Sequence, residues 1–179
     1  LFGCDIAYKD HLTKFDGIPT KEKLKILNKE NNFPLELQEI VYKLKQIYTQ
    51  ENFAMKCLPS FSQEYLMQKL KQNDIKIGVA SNSIRATVAL AMENLHLNEY
   101  IEFYLSNEDV LKGKPDPEIY TKAIGMLGIE PDECLVVEDN YNGIKAAQDA
   151  GAHLLRVDEV DDVNHLNVMN RISEINELR

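Results

Sequence analysis

No apolar run in this 179-residue chain approaches the length that a membrane-spanning helix requires, which argues against a membrane partner. The chain opens on no signal-peptide pattern, and the expected location is cytoplasmic. Cysteine is scarce: Cys4, Cys57 and Cys134 lie far apart, with no CxxC spacing and no even disulfide framework. They read as three reduced thiols of a cytosolic protein. His11, His96, His153 and His165 are scattered. None pairs with another at metal-ligand spacing or sits beside a plausible nucleophile, so all four read as structural or surface residues. Positive charge is in the minority, 20 Lys and Arg against 29 Asp and Glu, giving a net charge of −9. This charge, with no concentrated basic patch, argues against a nucleic-acid surface. Phosphorylated ligands remain open, because a lysine, helix N-termini and Mg²⁺ can bind them locally. There is no internal repeat and no low-complexity segment.

What the chain does contain is enough for a core: 44% of residues are hydrophobic and 27% charged. The length allows one domain with a smaller companion. Residues 1–57 read as helices only, over 6–15, 20–31 and 35–51, with apolar residues at helical spacing such as Leu37, Ile40, Val41 and Leu44. Pro19 stops the first helix and Thr20 is placed to cap the second. The pattern changes near Leu58-Pro59, and residues 58–179 read as an α/β domain. Ser60 with Gln63 predicts a capping box for a helix over about 61–72. Strands are predicted over Ile75–Ala80, Ile101–Leu105, Leu135–Val137 and His153–Val157. Helices fall between them, over about 84–95, from Asp116-Pro117 to Gly128, and after Gly143 to Gly151. A last helix spans Ile172, Ile175 and Leu178. Strands alternating with helices imply βαβ units and a parallel sheet.

The stretch LVVEDNYNG at 135–143 organises this pattern. It reads as a buried strand, two carboxylates at its carboxyl end, a polar turn and a helix. Ligands bind at the carboxyl ends of strands in open α/β sheets. Adjacent Glu138 and Asp139 repel there unless a cation compensates, and Mg²⁺ is the natural candidate. A polar turn before a helix N-terminus that favours acids is the alternative. Ser81 and Asn82 follow the first strand, and Lys114 lies in the loop before a helix. In a parallel sheet these ends share one edge, so a hydroxyl, an ammonium and a carboxylate can surround one phosphoryl group. Each alone is weak, since Ser-Asn-Ser is often a helix cap and Gly-Lys-Pro a surface loop.

Together GVASNS at 78–83, KGKPDPEIYTKA at 112–123 and LVVEDNYNGIKAAQDAGA at 135–152 resemble the haloacid dehalogenase superfamily, in its phosphatase and β-phosphoglucomutase-like branch. FDGIPTKEKL at 15–24 is similar to that branch's helical cap. The resemblance implies a Rossmann-like parallel core with a small all-helical cap on its N-terminal side. It implies that Ser81 contacts the transferring phosphoryl group with Asn82 beside it, and that Lys114 neutralises its charge. Asp139 is then a direct Mg²⁺ ligand and Glu138 acts through water. The cap closes over a small phosphorylated metabolite, with Thr20, Lys21 and Lys45 as candidates to read it. The implied activity is Mg²⁺-dependent phosphohydrolysis through an aspartyl-phosphate. A phosphosugar mutase and a non-catalytic binding module on the same scaffold are the alternatives, and a monomer or homodimer is expected.

One part of the resemblance is lacking. The family's nucleophile is the first aspartate of an Asp-x-Asp motif after its first strand. Residues 1–10, LFGCDIAYKD, hold Asp5 and Asp10 but no such motif, and the acids at 158–162 follow the last strand. Without that nucleophile the polypeptide is expected to show no phosphatase turnover. Without that strand the sheet is expected to expose unpaired edges.

Overall fold

A computed structural model of the chain describes residues 6, 7, 9, 15 and 17–177. The helix expected over 6–15 falls mostly outside them, as do Cys4, His11, Leu178, Asp5 and Asp10. Among the described residues there are seven α-helices and four strands: α1 Thr20–Asn31, α2 Leu35–Lys56, α3 Phe61–Gln72, β1 Gly78–Ala80, α4 Arg85–Asn94, β2 Phe103–Leu105, α5 Glu118–Leu127, β3 Leu135–Glu138, α6 Tyr141–Asp149, β4 His153–Arg156 and α7 His165–Glu177. The α/β class and the parallel pairing expected from the alternation hold. No described helix is long and apolar enough to cross a membrane.

The sheet is divided. Among the described residues β1 pairs only with β2, and β3 only with β4, both in parallel. Period-two alternation assigns the side chains of both pairs. Ala80, Phe103, Leu105, Val136 and Leu154 face a core with Ile119 and Ala123 of α5 and Ala146 and Ala147 of α6. On the opposite face Leu135 and Leu155 meet Leu66 and Leu70 of α3 and Val168 of α7. Val79 and Tyr104 meet Val88 and Met92 of α4. Helices therefore cover both faces, the arrangement that parallel strands require.

Several local expectations are corrected. Thr20 does not cap α1; it is the first helical residue, Pro19 holds the cap position, and no side-chain bond forms there. Ser60 sits at the cap position of α3 but makes no side-chain cap bond, so the capping box is absent. Asp116 does accept from the Glu118 amide at 3.1 Å, with the helix starting one residue after Pro117. α2 runs on to Lys56 because no Gly or Pro interrupts it before Pro59. The first strand is short because the Ile75 amide bonds back to Leu70 O and so closes the preceding helix. β3 is not wholly buried: Val137 is 36% exposed, and among the described residues β3 has a ladder partner on one edge only.

Candidate active site

The carboxyl ends of β1 and β3 open into one cleft of about 1020 Å³. Ser81, Asn82, Lys114, Glu138 and Asp139 line it from the α/β side, and Thr20, Lys21 and Lys45 line it from the helical side. Every residue singled out from the sequence is therefore brought to the same cavity. Val79 and Val137, one from each strand pair, also line it, so it reaches between β1 and β3.

Lys114 forms the back of the cleft. Its Nζ donates to Ala80 O at 3.0 Å, to the Tyr120 hydroxyl at 2.7 Å and to Glu138 Oε1. An ammonium has three protons, so these partners saturate it. The Tyr120 hydroxyl in turn donates to Glu138 Oε1. The Lys114 and Glu138 side chains are each 10% exposed. A buried carboxylate here is tolerable because a cation and a phenol compensate it. Burial, and then the Glu138 charge, push the Tyr120 phenol far above the usual tyrosine range, so it stays a neutral donor. Gly143 of α6 leaves the space for this arrangement: a Cβ there would lie 2.1 Å from the Glu138 carboxyl carbon.

Ser81 continues the strand pairing, its amide donating to Leu105 O at 3.0 Å. Its Oγ accepts from the Ser83 amide at 3.1 Å, which leaves the hydroxyl proton to give to a ligand. The Asn82 carboxamide is used entirely on main chain: Nδ2 donates to Gly17 O at 2.8 Å and Lys114 O at 3.0 Å, and Oδ1 accepts from the Lys114 amide at 2.9 Å. The Lys114–Pro115 peptide is cis. Asp139 is exposed and makes no hydrogen bond or ion pair with a described residue. On the helical side Lys21 Nζ stands 5.3 Å from the Tyr42 ring centroid. Lys45 is exposed as a whole, but partial desolvation of its ammonium lowers its pKa.

Tyr120 was not anticipated from the sequence. It stands six residues after Lys114 on the apolar face of α5, where an aromatic reads as core. Asn140 is the other addition; it caps α6, its side chain accepting from the Asn142 amide at 2.9 Å.

The sequence profile of the haloacid dehalogenase-like hydrolases matches residues 2–157. The chain belongs to that family. Among relatives, the pyrophosphatase PpaX of Bacillus cereus is 35% identical over 85 residues, covering 48% of this chain and 39% of the relative. A haloacid dehalogenase-like hydrolase domain-containing protein of Arabidopsis thaliana is 38% identical over 89 residues, 48% of this chain and 28% of that one. The aligned region thus spans well under half of those relatives. Among solved structures, the β-phosphoglucomutase of Clostridium difficile superposes with a TM-score of 0.79 at 23% identity, over 99% of this chain and 86% of that one. CbbY of Rhodobacter sphaeroides, solved with xylulose-1,5-bisphosphate, gives 0.77 at 17% identity, over 88% and 72%. At such identities the superpositions establish the fold: a haloacid dehalogenase-like Rossmann core with a helical cap.

The donor set can be tested against Mg²⁺. Among the described residues no cluster of three or more His, Cys, Asp and Glu side chains exists. Asp139, however, is an uncommitted carboxylate in the cleft. Mg²⁺ is held by one or two carboxylates, with waters and phosphate oxygens completing the shell. A free carboxylate in the same cleft as a hydroxyl donor fits that chemistry. Glu138 is held by Lys114 and Tyr120, so its contribution to a cation is its charge.

Proposed function

We propose that the protein is a Mg²⁺-dependent phosphohydrolase of a small phosphorylated metabolite. The observation that carries this is the meeting of Ser81, Lys114 and Asp139, from three separate chain segments, in one cleft. The family it belongs to, and a pyrophosphatase among its relatives, support the same reading.

In this reading the Ser81 hydroxyl donates to a phosphoryl oxygen and fixes its orientation. Lys114 supplies positive charge from behind. Because its three protons are already bonded, it acts either through its field or by exchanging the Ala80 carbonyl for a ligand oxygen. Asp139 would hold Mg²⁺, which offsets phosphoryl charge when bound. Thr20, Lys21 and Lys45 face the leaving group from the cap. The route is the family's aspartyl-phosphate one. Asp139 is the one aspartate among the described residues lining the cleft. With Asp139 as metal ligand, the attacking carboxylate comes from outside that described lining.

Product analysis of the whole protein with a sugar 1-phosphate and Mg²⁺, by phosphorus NMR, tests the proposal. Release of inorganic phosphate is expected from a protein that carries the family's Asp-x-Asp nucleophile, and none from the 179-residue chain by itself. A sugar phosphate shifted to another carbon would assign a mutase, and binding without turnover a non-catalytic module.

A further inference from the structure

The Asn82 carboxamide joins three chain segments that are far apart in sequence. It stands at the end of β1, bonds both main-chain groups of Lys114 32 residues on, and donates to Gly17 O 65 residues back. A carboxamide has two donor protons and an acceptor oxygen, and all three functions are occupied. Two glycines shape this junction. A Cβ on Gly113 would lie 2.7 Å from Asn82 Oδ1, so the Lys114 loop approaches the amide only because position 113 has no side chain. Gly17 adopts φ +71, and a Cβ there would lie 2.4 Å from Asn140 Oδ1. Gly17 leads directly into α1, so the carbonyl that Asn82 grips is the attachment of the helical cap to the α/β half.

We infer that Asn82 is a positioning residue: it sets the Lys114 loop and fixes the cap through Gly17, and does not itself touch the phosphoryl group. This rests on the phosphoryl site described above but makes a separate claim, that one side chain couples that site to cap orientation. A ligand that pulls the Lys114 loop shifts the Asn82 amide, and with it Gly17. Asparagine is the residue type required. Aspartate keeps the acceptor for the Lys114 amide but presents oxygens to two carbonyls, and alanine loses every bond.

The test uses the full chain, labelled with ¹⁵N. Residual dipolar couplings report whether α1 and α2 share one alignment with the α/β half, amide exchange reports the Lys114 N–H, and calorimetry reports inorganic phosphate binding with Mg²⁺. Asn82→Ala is expected to separate the two alignments, speed Lys114 amide exchange at least tenfold and weaken phosphate by about tenfold, the scale of lost hydrogen bonds. Asn82→Asp is expected to separate the alignments while the Lys114 amide stays protected. Gly17→Ala is expected to separate them with Asn82 intact. Weakened phosphate binding in Asn82→Ala with one shared alignment and an unchanged Lys114 amide overturns the inference, because that is direct ligand contact. So does a shared alignment in all three variants. Ser81→Ala serves to separate the claims: if phosphate binding ignores it, the phosphoryl site is wrong, while the alignment data still decide the role of Asn82.

Discussion

The Lys114 ammonium and the Glu138 carboxylate form an ion pair in which each side chain is only 10% exposed. Breaking such a pair leaves an uncompensated buried charge. Lys114→Met is expected to destabilise the fold by about 3 kcal/mol in urea denaturation. Adding Glu138→Gln removes the stranded charge and should recover part of that loss. A double variant as unstable as the sum of the two single changes would show that the pair is not coupled.

Gly143 lies beneath the same carboxylate. Gly143→Ala would drive a methyl group into Glu138, and an overpacked site of this kind costs about 1–3 kcal/mol. Gly125 lies in the last turn of α5, and a methyl group added there would meet nothing within 4 Å. There the same substitution should stabilise, by no more than the roughly 0.5–1 kcal/mol of a helix interior, through helix propensity. Opposite signs in parallel thermal melts are the expected outcome, and equal effects would contradict the packing described for Glu138.

Tyr120 supplies a pH signature. Its phenol is raised in the fold above the usual tyrosine value of 10.0, chiefly by burial. The unfolded chain then loses this proton above about pH 10 while the folded chain keeps it. The contribution is complete below pH 10, and above it the stability attributable to Tyr120 falls by about 1.4 kcal/mol per pH unit. Tyr120→Phe should cost about 1 kcal/mol at neutral pH, by loss of the hydroxyl bonds, and should fall less steeply in alkali. Denaturation at a series of pH values checks both; identical alkaline slopes would argue that the phenol titrates normally.

Asp139 is a cleft carboxylate free to take a cation. Chelation of Mg²⁺ is expected to weaken inorganic phosphate binding in the unaltered chain by at least tenfold, and to change little in Asp139→Asn, which has already lost the ligand. Calorimetry with and without chelator distinguishes these cases. Full Mg²⁺ dependence in Asp139→Asn would place the metal elsewhere.

The convergence of Ser81, Lys114 and Asp139 was legible because strand ends of a parallel sheet share an edge, and each residue follows a recognisable strand or precedes a helix. The helix over 20–31 was legible from spacing alone and matches α1 residue for residue. Tyr120 was not, because a buried tyrosine on an apolar helix face has no mark distinguishing it from core. The grip of Asn82 on Gly17 was not, because it spans 65 residues and depends on two glycines having no side chain. The caps failed in two ways: Thr20 falls one residue inside α1, with Pro19 at the cap position, and Ser60 holds the cap position of α3 but makes no side-chain bond there. Val137 reads as core from its neighbours Leu135 and Val136; its exposure goes with the division of the sheet between β1 and β3 among the described residues, which no local pattern records.

The most direct measurement is anomalous diffraction from crystals of the chain containing Mg²⁺ and tungstate, a tetrahedral stand-in for phosphate. Convergence of the three groups on one phosphoryl site predicts one tungsten peak in the cleft, within hydrogen-bond reach of the Ser81 hydroxyl and flanked by Lys114 and Asp139, lost in Ser81→Ala. A saturated crystal with tungsten bound elsewhere and none at the carboxyl ends of β1 and β3 would contradict it.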